Sequence, residues 1–75
     1  MNTTIKLALN FWVAAIEVYG NIEDAKRIVG IPTISEIKLF LSKWSLIKEW
    51  HLEEEVIMEI KRGSTFDEAF DEWVR

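Results

Sequence analysis

Residues 20–37 read Gly20-Asn21-Ile22-Glu23-Asp24-Ala25-Lys26-Arg27-Ile28-Val29-Gly30-Ile31-Pro32-Thr33-Ile34-Ser35-Glu36-Ile37, and this stretch decides the fold. Asn21 is a favoured N-cap residue with an acid three positions on, and Ile22, Ala25, Ile28 and Val29 recur at helical spacing as one buried face. Gly30 suits a left-handed C-terminal cap, and Pro32 disfavours helical geometry in the residue before it. Thr33 and Glu36 then have the Ser/Thr-x-x-Glu spacing of a capping box. The stretch therefore predicts a helix over 22–29, a tight corner and the start of another helix at 34.

Reading outward, the segment before Gly20 is apolar nearly all round from about Thr4 to Tyr19, with Lys6, Asn10 and Glu17 as one narrow polar stripe. Such a helix is central to its domain or lies in a subunit interface. Its run of about 13 apolar-leaning residues is too short for a membrane span, and with Glu17 and no small-x-small cleavage site it is not expected to be a leader. On the other side, Ile34, Ile37, Phe40, Leu41 and Trp44 predict a third helix over about 34–44. Residues 46–62 read as helical with a break near His51, since Glu53, Glu54 and Glu55 suit a new N-terminus and Lys61-Arg62-Gly63 a C-terminus. Thr65 and Glu68 form a second capping box before Phe66, Ala69, Phe70, Trp73 and Val74, which predict a last helix over 66–74. No strand-like alternation occurs. The expected fold is all-α, a compact single-domain bundle of about five short helices with a helix-turn-helix-like corner at residues 21–44.

A chain of 75 residues with no cysteine has neither a disulfide framework nor a thiolate site, which suits a cytoplasmic setting. Its formal charge of -4 is unevenly distributed. Residues 1–25 carry -2, residues 26–48 carry +4 through Lys26, Arg27, Lys38, Lys43 and Lys48 against Glu36, and residues 49–75 carry -6. The basic block coincides with the corner and the third helix. On that helix Ser35, Lys38, Ser42 and Ser45 share one solvent stripe of hydroxyls and an amine.

Gly20, Asn21, Ala25, Gly30 and Ile31, within Tyr19 to Trp44, resemble the helix-turn-helix of many small bacterial and phage regulators, including the factor-for-inversion type. Two positions depart from that pattern, with Lys26 where a second Ala is common and Ile37 one place late. The resemblance implies a non-enzymatic regulator bound to double-stranded DNA. Lys26, Arg27, Lys38, Lys43 and Lys48 would then meet phosphates, with Ser35, Lys38 and Ser42 nearest the bases. The same residues also suit a merely solvated helix face, and Thr33 to Trp44 contains no Arg, Asn or Gln for bidentate base contacts.

The alternative is an acidic adapter or inhibitor that contacts a basic protein surface through Trp50, Glu54, Glu55, Phe70, Asp71, Glu72 and Trp73. Several of the acids are equally explained as helix N-terminal charges. Four Trp in so short a chain also suggest a homodimer built on the first or last helix. His51, the only histidine, has Glu55 at i+4, too few convergent groups for a metal or general-base site, and the three isolated glycines make no phosphate loop. No catalytic residue, metal or cofactor is expected.

Overall fold

The computed structural model describes residues 2–75, and among these the fold is all-α, with five helices and no strand. They are α1 (Thr3–Tyr19), α2 (Ile22–Val29), α3 (Ile34–Glu49), α4 (Glu53–Lys61) and α5 (Phe66–Trp73). The chain divides into two compact units, one running up to Ser42 and the other Lys43–Arg75.

Local chemistry explains where the helices start. The Asn2 side chain accepts from the Thr4 N–H at 2.7 Å, and the Asn21 side chain accepts from the Asp24 N–H at 2.8 Å. Thr33 and Glu36 form the reciprocal pair expected of a capping box, the Thr33 N–H donating to Glu36 at 2.9 Å and the Glu36 N–H to Thr33 Oγ1 at 3.1 Å. Thr65 and Glu68 repeat it at α5, at 2.8 and 3.1 Å. Each cap satisfies donors that a helix N-terminus leaves unpaired, worth about 1 kcal/mol apiece.

The ends are equally specific. Gly20 and Gly30 leave α1 and α2 with φ of +97° and +72°. At the end of α3 the His51 N–H donates to the Lys48 carbonyl at 3.1 Å and the Leu52 N–H to the Ile47 carbonyl at 2.9 Å, with His51 at φ +57°. That pair of bonds is a Schellman motif, which needs a left-handed residue at the His51 position. Gly63 (φ +114°) closes α4 in the same way, the Gly63 N–H reaching Ile60 and the Ser64 N–H reaching Glu59.

One boundary differs from the sequence reading. α3 does not stop at Trp44 but continues through Ser45 to Glu49, and the break at His51 separates α3 from α4. Nothing between Trp44 and Glu49 interrupts a helix, and Trp44 and Ile47 prolong its buried face at i, i+3.

In the first unit α1 packs on α2. Phe11, Ala15, Ala25 and Ile37 form its buried core, with Phe11 meeting Trp12 and Phe40 edge-on at centroid distances of 5.1 and 5.0 Å. Ala25 has no exposed surface, and its small side chain permits the close approach of the two helices. In the second unit α4 packs on α5, and Trp44, Ile47, Val56, Phe66, Ala69 and Phe70 are buried. Burying each of the larger of these side chains is worth about 2–3 kcal/mol.

Candidate interaction surfaces

The corner between α2 and α3 consists of Gly30, Ile31, Pro32 and Thr33. Gly30 turns the chain, Pro32 prevents the first helix from continuing, and Ile31 is left 98% exposed. Of the residues expected to meet DNA, Lys26, Arg27, Ser35, Lys38 and Ser42 are exposed. Arg27 donates to Asp24 Oδ1 at 3.1 Å, and this bond, with a second from the Asn21 amide, holds the Asp24 carboxyl below its ordinary range. Glu36 is likewise held below the usual glutamate range, first by the Thr33 backbone N–H it accepts.

Lys43 does not join this set. Its ammonium donates to Asp67 Oδ1 at 2.9 Å and lies 5.0 Å from the centroid of the Phe70 ring, leaving the side chain only 19% exposed. The helical period explains this, because Lys43 falls about 80–100° around α3 from Ser35 and Ser42, on a flank where α5 supplies an acid and an aromatic. Lys48 stays exposed, its ammonium 5.9 Å from the Trp44 ring. Divided along the structural units, the charge also changes meaning. Up to Ser42, Lys6, Lys26, Arg27 and Lys38 are matched by Glu17, Glu23, Asp24 and Glu36, whereas Lys43–Arg75 holds nine acids and five bases.

The second unit carries the residues expected to meet a protein. Trp50 is 63% exposed and Trp73 42%, and Glu54, Asp71 and Glu72 are exposed too. Asp71 accepts from Arg75 at 3.4 Å. Phe70 must be withdrawn from this list, because it is 7% exposed: with Phe66 and Ala69 it forms the inner face of α5. Glu55 is half-buried, and its Oε2 is enclosed without a hydrogen-bond partner, as is Trp44 Nε1. It sits next to Val56 on the inward side of α4, so it is no open contact residue. Among the described residues, no group of His, Asp and Glu gathers to hold a metal ion, and no helix is long and apolar enough to cross a membrane.

The first helix, expected to be central or to lie in a subunit interface, leaves a further surface open. Ile5, Leu9, Val13 and Ile16 of α1 are all exposed. Beside them an open groove of about 520 Å³ is lined by Ala8 and Trp12 of α1, by Lys26, by the Gly30–Pro32 connection and by Ile37. The signal available in advance was the all-round apolarity of α1, since a helix needs only one stripe to cover a core.

No protein-family model matches this chain, and neither a curated protein nor a solved structure matches it at a significant level.

Proposed function

We propose that this chain is a small non-catalytic interaction module that binds a basic protein surface through the acidic, tryptophan-bearing face of residues 43–75. The observation that carries this reading is the exposure of Trp50 and Trp73 on a unit where nine acids face five bases. An indole surface left in water contributes nothing to folding, whereas Trp is enriched where partners dock, and acids around an apolar anchor select a cationic partner and speed encounter. Glu54, Asp71 and Glu72 are exposed acids of the same unit. The test uses the chain as bait and compares wild type with the double variant Asp71→Lys/Glu72→Lys and with Trp73→Ala. The expected result is a basic partner that is retained by wild type and lost from both variants. A set of bound proteins unchanged in both variants refutes the reading.

DNA binding at the corner is the second reading, favoured by the exposed stripe of Ser35, Lys38 and Ser42 beside Lys26 and Arg27. Two facts weaken it: Lys43 is engaged by Asp67, and the unit that holds the corner has balanced ionisable side chains, whereas affinity for duplex DNA is dominated by phosphate neutralisation. Titration with duplex DNA at two salt concentrations decides. Binding that falls steeply with salt and is lost in Lys38→Glu supports this second reading, and no binding at low salt rejects it.

A further inference from the structure

We infer that α1 is a self-association surface on which a second copy of this chain docks antiparallel. The inference concerns the first unit and is independent of the acidic face proposed above.

At 100° per residue, Ile5, Leu9, Val13 and Ile16 fall within about 80° of the α1 circumference, a continuous apolar stripe running the length of the helix. Ala8 and Trp12 border it on one side and bring in the groove and the fully projecting Ile31. Lys6 and Glu17 border it on the other side, one near each end, and both are exposed.

This disposition selects both the occupant and the direction. A two-fold axis crossing the helix near its midpoint sets Leu9 of one copy against Val13 of the other, and brings Lys6 of each alongside Glu17 of its mate. Both pairings lie on the same flank of the stripe, because the rotation reverses the helix direction and preserves the flank. The result is self-complementary in charge as well as in apolarity, as an isologous interface requires. A parallel pairing sets Lys6 level with Lys6 and Glu17 level with Glu17, and gains nothing from either. Area agrees with a second copy. The stripe and Ile31 leave on the order of 500 Å² of apolar surface in water per copy, at the upper end of what an ordinary monomer shows in one patch. Twice that is about 1,000 Å², the range of a weak, concentration-dependent dimer.

Sedimentation equilibrium from about 5 to 500 µM, with the full chain, is the first measurement, and a monomer–dimer transition with a dissociation constant on the order of 10–100 µM is expected. Val13→Glu, at the most exposed position of the stripe, raises that constant by about tenfold or more without change in the far-ultraviolet circular dichroism. Orientation is read separately, since the chain has no cysteine of its own. Lys6→Cys and Glu17→Cys, mixed and gently oxidised, give a covalent heterodimer, whereas either variant alone cross-links slowly. A chain that stays monomeric at about 500 µM overturns the proposal. So does a dimer undiminished by Val13→Glu, or Lys6→Cys joining itself as fast as it joins Glu17→Cys.

Discussion

His51 is a histidine in a position that the backbone reserves for glycine, and replacing it gives a sharp test of how α3 ends. The residue occupies φ +57° because the Schellman bonds from His51 to Lys48 and from Leu52 to Ile47 require a left-handed turn there. A side chain with a Cβ costs about 1–2 kcal/mol in that conformation. Glycine removes this cost but adds about 0.4–1 kcal/mol of conformational freedom to the unfolded chain. The difference predicts that His51→Gly stabilises by about 0.5–1 kcal/mol, raising Tm by roughly 2–8 °C in a chain of this size. Thermal circular dichroism with urea titration at neutral pH measures it. Gly63→Ala is the matching control at the end of α4. An added Cβ there meets nothing within 4 Å, so its effect is backbone strain alone. A loss of about 1 kcal/mol is expected. If Gly63→Ala destabilises while His51→Gly leaves Tm unchanged or lower, the strain argument at His51 is wrong and the imidazole contributes more than its backbone costs.

Two other perturbations follow from the caps and the core. Glu36 and Glu68 are held below their ordinary value of 4.5 by the Thr33 and Thr65 N–H groups they accept. A carboxyl depressed in the folded state stabilises fully above its unfolded pKa and loses that contribution as pH falls through the folded one. Tm is therefore expected to be level with respect to these caps at neutral pH and to decline as pH drops below 4.5, with a shallower decline in Glu68→Gln; an unchanged acid limb in that variant counts against the account. In the first unit, Ala25→Leu forces extra volume into a position with no exposed surface beside α1. The expected cost is about 1–3 kcal/mol, read as a lower urea midpoint, and a neutral result means that α1 and α2 are less closely packed than described.

The punctuation of this fold was readable because it is written in short-range chemistry. Asn21, the Thr33–Glu36 and Thr65–Glu68 pairs, and Gly20, Gly30 and Gly63 act within four residues of themselves, and the structure uses each where the spacing places it. The end of α3 was harder to place. Read from the sequence, the third helix ends near Trp44 and helix resumes at Leu46, but no residue between them interrupts the apolar period, so the helix runs on to Glu49. His51 carried no glycine or proline to announce a left-handed turn. Site residues were less legible still, for the periodicity that identifies a face does not say what lies opposite. Lys43 is taken up by Asp67, 24 positions away, and Phe70 turns inward with Phe66 and Ala69.

The redistribution of charge is what bears most on function. As a linear sequence, residues 26–48 form a basic block between two acidic ones, which suits a nucleic-acid surface. The structure cuts that block at Ser42, assigns Lys43 to an ion pair within the second unit, and leaves the first unit with as many acids as bases. Its exposed apolar stripe and groove then become its most distinctive surface, while the second unit keeps the entire net charge of -4 together with both exposed tryptophans. A balanced apolar surface suits contact with a like copy, because identical chains of high net charge repel, whereas an acidic indole-bearing one suits a cationic partner. The two surfaces therefore predict different salt dependence: raising ionic strength weakens capture of a basic partner by the second unit and has little effect on self-association beyond the Lys6–Glu17 pairs.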